Sequence, residues 1–459
     1  MILSYQDIKK FGKILIPVMF LLGLVSVTGY IERLLLARHS TEALTGGLNA
    51  FFLARVFQAS CLSVTVVGQA YVGLYYGAGQ LKNIGSCVWQ LIWFSILSIG
   101  IVVPVGFLTQ QMLFSDTVIG SAGSNYFYLL CVFNFLYPLG GALSAFYLGQ
   151  GIAWPVVLLT VGSCLLNIGL DVLLIFGIGP IPPLGATGAG IARALAQGTL
   201  SLILLGLFLS RSNRETFSSD AWKFSPKLFW HYVRPGILRA LGAFAALGDW
   251  VLVSRYMTLK SETHQLVFSL GSTIFYLLTF IGDGLFQTMV TASSNRIGKK
   301  DYPGVWTSLS SGFFLIAILA ILLIIPFFVF PQALIRFFNG SNLYTQALVI
   351  YQDISSTLWL AVIAYALNAL CSGIIVASRD TLFLLCFYCG LWIFSFVPVY
   401  IIMDWVGWSA NNFWFIVMFT NLVACTAFLW RAYKERWKVD RWDPNIPDKE
   451  INPSLTPSI

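Results

Sequence analysis

Long apolar stretches separated by short polar segments run through the whole chain. Each stretch is apolar on all faces over about 20 residues, the length that a helix needs to cross about 30 Å of hydrocarbon. A membrane barrel would instead alternate apolar and polar residues along each strand. The pattern therefore predicts twelve transmembrane helices, at 14–36, 51–75, 88–108, 125–149, 155–178, 186–209, 235–257, 265–290, 308–330, 354–376, 382–403 and 411–430.

A polar, charged segment after the sixth window divides these helices into two sets of six. We expect four parts on this basis: an N-terminal six-helix lobe at 1–210, a linker at 211–234, a C-terminal six-helix lobe at 235–432 and a tail at 433–459.

The two halves resemble each other. The first helix of each half has a proline near its start and an acidic residue about four turns later: Pro17 and Glu32 in one half, Pro235 and Asp249 in the other. With six helices per half, both halves begin on the same side of the membrane. The predicted fold class is an all-α polytopic membrane protein of two lobes related by a pseudo-two-fold axis, with a substrate path between them.

Composition and charge support a membrane location. Residues of the apolar set make up 58% of the chain and charged residues only 10%, whereas a soluble protein has about 25% charged residues. This excludes a water-soluble enzyme. In the predicted topology, the side of the membrane that holds both termini and the linker carries 19 of the 27 lysines and arginines, so the positive-inside rule predicts a multi-pass plasma (cell inner) membrane protein with both termini cytoplasmic. The same placement explains the net charge of +8, so no nucleic-acid partner is expected, and the protein is expected to be a monomer.

A few ionisable residues lie inside the predicted spans, where each charge costs about 2.5–3.5 kcal/mol. Such residues are expected to face a cavity or one another. They are Glu32, Asp171, Arg193, Arg239, Asp249 and Asp283.

Depth along the helices shows which of these can meet. At 1.5 Å per residue, Glu32 lies about 27 Å along the first helix and Asp171 about 24 Å along the fifth, while Arg193 lies about 10 Å below the outer surface on the sixth. Asn167 precedes Asp171 by one turn. One interpretation is a cation or proton site, in which a proton or Na⁺ relieves the repulsion of two carboxylates. The other is a structural ion pair of Arg193 with Asp171 or Glu32.

The second-lobe candidates are less specific. Arg239, Asp249 and Asp283 are expected to line the substrate cavity; alternatively, Asp249 lies near the outer interface and Asp283 snorkels. Arg55, close to the predicted outer end of the second helix, is expected to snorkel. Neither a nucleophile triad nor a metal-ligand motif occurs, so neither catalytic residues nor a bound metal is expected, and no cofactor beyond the coupling ion, H⁺ or Na⁺.

Several short motifs occur in the order and spacing found in one transporter family. They are Pro17 followed by Glu32, Val67-Gly68-Gln69 with Gly77-Ala78-Gly79, Gly149-Gln150-Gly151 leading through Asn167-Ile168-Gly169-Leu170-Asp171 to Ile175-Phe176-Gly177, Gly188-Ala189-Gly190-Ile191-Ala192, His264-Gln265 and Arg296-Ile297-Gly298. Over nearly its whole length, the chain resembles the multidrug and toxic compound extrusion (MATE) family.

The resemblance implies two six-helix lobes around a V-shaped cleft and the export of amphipathic, often cationic drugs or metabolites in exchange for Na⁺ or H⁺. It also implies that Glu32, Asn167 and Asp171 form the coupling-cation site of the first lobe, with Glu32 in place of the family's usual aspartate. Protonation of Glu32 or Asp171 is then expected to bend or repack the first helix near Pro17.

Two departures from the family pattern affect the expected chemistry. Arg193 stands where members with this site commonly have a small hydroxyl residue, and Ala243 stands where some subgroups have a glutamate. A fixed guanidinium beside two carboxylates can replace Na⁺, so the departures favour proton coupling or a substrate unlike the usual cations. Arg193 and Arg239 also keep open an alternative, a flippase for lipid-linked saccharide precursors of the same superfamily.

Overall fold

The computed structural model of the protein describes residues 4–434 except 115–117, 178, 181, 333–334, 336–343, 406 and 408. The described residues form helices and connecting segments, with no strand among them. The helices are α1 Tyr5–His39, α2 Thr41–Gly77, α3 Lys82–Leu97, α4 Ile99–Phe114, α5 Val118–Val132, α6 Leu136–Gly149, α7 Trp154–Phe176, α8 Gly185–Phe208, α9 Arg211–Phe217, α10 Pro226–Lys260, α11 Glu262–Gly298, α12 Tyr302–Ile324, α13 Tyr344–Ala377, α14 Thr381–Phe394, α15 Phe396–Asp404 and α16 Phe413–Tyr433.

The number of spans agrees with the predicted pattern. In the described residues, 11 helical segments are long and apolar enough to cross a membrane, and a pair bent by 43° between α5 and α6 makes a twelfth. That bend lies just before Pro138, and a second break, between α14 and α15, lies just before Pro398. Proline has no N–H for the carbonyl four residues earlier, so a helix tends to break there. The predicted all-α, multi-span fold class is confirmed.

The internal repeat is visible in the two long helix pairs that open the lobes. Helices α1 and α2 have 35 and 37 residues, and α10 and α11 have the same lengths. A single extended serine joins each pair, Ser40 in one lobe and Ser261 in the other. Each serine side chain accepts a hydrogen bond from the backbone N–H three residues later, at Ala43 and His264. Serine is a favoured helix N-cap, so the same residue ends and restarts the helix in both lobes.

The second lobe begins earlier than the expected boundary. Its first helix starts at Pro226, within the expected linker 211–234. Proline fits the first helical turn because its missing N–H has no helical partner there. The polar residues that follow form the first turns of α10, and Tyr232 and Val233 in these turns are buried. The expected tail, 433–459, lies almost wholly outside the described residues.

The two lobes share one hydrophobic core at the end that contains the C-terminus of α2 and the N-terminus of α10. Hydrogen bonds cross between the lobes in this region. The Gln69 side-chain amide donates to the Thr291 hydroxyl at 2.7 Å, and the Tyr71 hydroxyl donates to the His231 carbonyl at 3.1 Å. This end of the molecule is therefore closed.

At the opposite end each lobe has a core of its own. Leu36 and Tyr126 belong to the first-lobe core, and Met257 and Trp414 to the second-lobe core. Because the lobes are packed together at one end and have separate cores at the other, a cleft between them opens toward Ser40 and Ser261. Tyr276 is 43% exposed, as expected for an aromatic side chain on the wall of such a cleft.

A close backbone contact holds the closed end. A Cβ atom at Gly77 would overlap the backbone of Asn295, which cannot move aside easily. We expect Gly77→Ala to destabilise the protein by about 1–3 kcal/mol, the usual cost of overpacking. The measurement is thermal unfolding in detergent. Gly162→Ala is the matched control because nothing lies within 4 Å of a Cβ there, and equal melting temperatures for the two variants would contradict the close contact.

Candidate coupling site and central cleft

Glu32 of α1 is buried in the first lobe and makes two polar contacts. One carboxylate oxygen accepts a hydrogen bond from the Tyr126 hydroxyl at 2.7 Å, and the other forms an ion pair with Arg193 of α8. Of the two partners that the sequence left open for Arg193, the structure selects Glu32. The ion pair links α1 to α8, and the hydrogen bond from Tyr126 links α5 to α1.

Small residues bring these helices close enough for the pair to form. A Cβ at Gly188 would overlap the Leu174 carbonyl of α7, and one at Gly190 would lie 3.0 Å from the Tyr126 ring. Helix α8 can therefore approach α7 and α5 closely, as glycine-rich interfaces do in membranes. The Arg193 guanidinium lies 5.0 Å from the centre of the Phe51 ring, a cation–π contact that adds to the ion pair.

Asp171 and Asn167 of α7 are buried beside this ion pair, with exposures of 0% and 7%. Both carboxylate oxygens of Asp171 lack a hydrogen-bond partner among the described residues, and so does the Asn167 amide nitrogen. Asp171 is within electrostatic range of Glu32 and Arg193. An unpaired buried carboxylate costs several kcal/mol. A proton or a cation bound to Asp171 would remove that cost, so Asp171 is the uncompensated acid of the first lobe.

Asp249 of α10 lies at a break in the second lobe. One of its oxygens accepts a hydrogen bond from the Ser395 hydroxyl at 2.6 Å, and the backbone N–H of Phe396 faces the same carboxylate. Phe396 is the first residue of α15, so the carboxylate caps a helix N-terminus, where negative charge is stabilised. The described contacts of Asp249 include neither Arg239 nor Asp283, the other two expected cavity residues.

Asp283 and Arg239 lie where the two lobes meet. Asp283 accepts a hydrogen bond from the Tyr365 hydroxyl at 2.8 Å. Arg239 donates to the Ser63 carbonyl of the first lobe at 3.4 Å, and its guanidinium lies 4.8 Å from the centre of the Phe286 ring. Asp283 is within electrostatic range of Arg239 but forms no ion pair with it. Helix α11 is unbroken through Asp283, although glycines flank that residue.

Arg55 is a cleft residue that the sequence interpretation assigned to the membrane surface. Its side chain is surrounded by protein but remains exposed to solvent, a combination expected of a group that lines a cleft. It is within electrostatic range of Arg193 and Asp283. The apolar window began at 51, whereas α2 begins at Thr41, so Arg55 lies about 21 Å along the helix instead of near its end.

Comparisons with known proteins agree with the fold described above. The family model MatE matches residues 252–405. A probable multidrug resistance protein NorM of Synechococcus is 21% identical over 93% of this chain and 94% of its own length. A NorM of Mannheimia succiniciproducens is 25% identical, but that alignment covers only 45% of this chain and 46% of the relative. The crystal structure of the eukaryotic MATE transporter AtDTX14 superposes with a TM-score of 0.81 at 18% identity, over 94% of this chain and 97% of that one.

The resemblance to the MATE family is confirmed. The protein has the fold of MATE transporters, and its second lobe matches the family model over most of its spans. The family is one of multi-pass membrane transporters, not of enzymes.

Within this MATE fold, the structure brings six of the predicted site residues together in two places, and Asp249 lies apart from both. Glu32, Asn167, Asp171 and Arg193 lie together in the first lobe, and Asp283 and Arg239 lie near each other in the cleft. Pro17 lies inside the unbroken helix α1, about four turns before Glu32. The roles that the resemblance implies for these residues remain predictions.

Proposed function

We propose that the protein is a proton-coupled antiporter that exports small amphipathic molecules by alternating access, and that Asp171 carries the proton. One observation supports this most strongly: Asp171 is fully buried and neither of its oxygens has a hydrogen-bond partner in the described part of the chain, whereas the neighbouring Glu32 is already neutralised by Arg193. One carboxylate of the pair is therefore compensated within the protein, and the other requires a ligand from outside.

The ion pair also favours H⁺ over Na⁺. A sodium site needs several oxygen ligands, and the acceptor oxygens near Asp171 are limited because Arg193 occupies Glu32. The Arg193 guanidinium disfavours a bound proton and a bound metal cation alike, because each adds a positive charge close to it. The two ions differ in the ligands that they need: a proton needs one carboxylate oxygen, whereas Na⁺ needs several oxygens, so Asp171 is better suited to bind a proton.

The transport cycle follows from this site and from the open cleft. The positive-inside rule places both termini and the closed end in the cytoplasm, so the described conformation is open to the outside. A proton from outside would neutralise Asp171 and let α1 and α7 repack, with α1 bending near Pro17. For coupling, proton and substrate must each bind the two conformations with different affinities.

Transport in proteoliposomes tests the proposal. Vesicles are loaded with rhodamine 6G or fluorescein, and a pH gradient or a Na⁺ gradient is imposed separately. We expect the pH gradient to drive transport of at least one dye and the Na⁺ gradient to drive none. An ionophore that collapses the pH gradient is the control. Transport driven by the Na⁺ gradient alone would contradict proton coupling.

A flippase for lipid-linked saccharide precursors is the second candidate. It is favoured by Arg55 and Arg239, which form no ion pair with any described residue and could hold a lipid-linked phosphate. Rescue of a strain depleted of its flippase, together with no dye transport in the vesicles, would support this candidate over the antiporter.

A further inference from the structure

The charges in the cleft do not balance. Arg55 and Arg239 both lie within electrostatic range of Asp283, and neither forms an ion pair with a described residue. Two further arginines are in range of Arg55: Arg193, which is paired with Glu32, and Arg33. Among the described residues, Arg55 and Arg239 therefore share a single carboxylate, and at least one positive charge in the cleft has no counter-charge.

The two arginines lie at different depths. Arg239 contacts the Ser63 carbonyl, close to the point where Gly236 packs against Val64 and the lobes meet. Arg55 is eight residues before Ser63 on α2, so it lies about 12 Å further toward the open end. Arg239 therefore lies at the floor of the cleft and Arg55 on its wall, where a ligand entering from the open end would reach it.

Aromatic side chains surround both arginines. Tyr137 and Tyr276 are near Arg55, and Tyr365 and Tyr388 are near Arg239. The Phe286 ring lies against the Arg239 guanidinium. Apolar ring faces beside charged groups are typical of sites that bind a flat or apolar molecule and orient it with a few polar contacts.

We propose that this cleft binds an amphipathic anion whose carboxylate, sulfonate or phosphate group pairs with Arg55, while its apolar part lies among the tyrosines above Arg239. The planar fork of arginine matches such groups with two parallel hydrogen bonds. A single negative charge would balance the cleft, whereas a cationic ligand would add to the uncompensated charge. Such an anion would be the substrate of the proposed exporter. Its role as a transported substrate rests on the proposed function, whereas its binding to the cleft does not.

Equilibrium binding of two dyes with the same ring system tests the proposal on the full-length protein in detergent. Fluorescein is the anion and rhodamine 6G is the cation, and fluorescence polarisation reports binding. We expect the wild-type protein to bind fluorescein more tightly. Arg55→Gln should weaken fluorescein binding at least about tenfold, and Arg55→Lys should keep most of it because the charge remains. Arg38→Gln is the control, because Arg38 is exposed in the last turn of α1.

A second variant keeps the test decisive if Arg55→Gln does not fold. Asp283→Asn removes the one carboxylate that both arginines share, so fluorescein should bind it more tightly than it binds the wild type. Tighter binding of rhodamine 6G by the wild type, unchanged fluorescein binding by Arg55→Gln, or weaker fluorescein binding by Asp283→Asn would each overturn the proposal.

Competition separates the two sources of such an anion. Displacement of fluorescein by short-chain phosphatidylglycerol, but not by phosphatidylcholine, would assign the site to a lipid headgroup. Retention of fluorescein against both lipids would assign it to a soluble anion, and both results support an anion site. These binding measurements use no ion gradient, so they do not depend on proton coupling. Failure of anion binding is therefore distinguished from failure of proton-coupled transport in vesicles.

Discussion

Asp171→Asn should abolish dye transport driven by a pH gradient and leave dye exchange without a gradient intact. Asparagine has nearly the same size and shape as aspartate, but it does not bind a proton at neutral pH. The buried site would then be permanently neutral, as if protonated, and α7 would keep its packing. Coupled transport should fall to the level of protein-free vesicles, because the driving ion has lost the one buried first-lobe carboxylate that has no partner among the described residues.

The control for this variant is Asp249→Asn. Asp249 caps the N-terminus of α15 through Ser395 and lies in the other lobe, so its loss should reduce stability but leave the pH dependence of transport unchanged. Loss of a helix N-cap hydrogen bond usually lowers the free energy of unfolding by about 0.5–2 kcal/mol. Wild-type coupling in Asp171→Asn, or loss of coupling in Asp249→Asn alone, would contradict the assignment.

Arg193→Met should cost about 3–5 kcal/mol of folding free energy, the usual penalty for leaving one charge of a buried pair without its partner. Glu32 would retain only the hydrogen bond from Tyr126. The double variant Glu32→Gln/Arg193→Met should recover much of this loss, because no unpaired charge remains. The measurement is the free energy of unfolding in detergent of Glu32→Gln, Arg193→Met and the double variant. Together with the wild type, these values give the coupling energy of the ion pair.

An exposed pair on the same protein is the matched control. Arg211 and Glu215 form an ion pair at 3.0 Å with side chains that are 94% and 67% exposed. Pairs of this kind contribute about 0.2–1 kcal/mol. Arg211→Met should therefore have little effect, and equal losses in Arg193→Met and Arg211→Met would show that the buried pair is not the structural link between α1 and α8.

The first-lobe site could be predicted from sequence because depth along a helix depends only on residue number. The fixed rise per residue placed Glu32, Asp171 and Arg193 in one layer of the membrane. It gave no information on the rotation of each helix about its axis. The choice of Glu32 as the partner of Arg193 depends on how closely Gly188 and Gly190 let α8 approach its neighbours, and that is a property of the packed structure.

The second lobe was harder to predict because breaks and helix ends decide its contacts. The window 382–403 is apolar throughout, yet the helix breaks at Ser395, three residues before Pro398. That break supplies the helix N-terminus that Asp249 caps. Arg55 was misplaced for a related reason, since α2 continues well beyond its most apolar part. Pro398 is the sequence signal for the break within this span, and the part of α2 that precedes its apolar window explains why Arg55 was misplaced.

Proton release on ligand binding tests the central claim most directly. The purified protein is kept in detergent in weakly buffered solution near neutral pH, and a pH electrode follows the addition of the dye that it binds. Competition between proton and ligand predicts about one proton released per bound dye from the wild type and none from Asp171→Asn. Equal release from the wild type and Asp171→Asn would show that another group carries the proton.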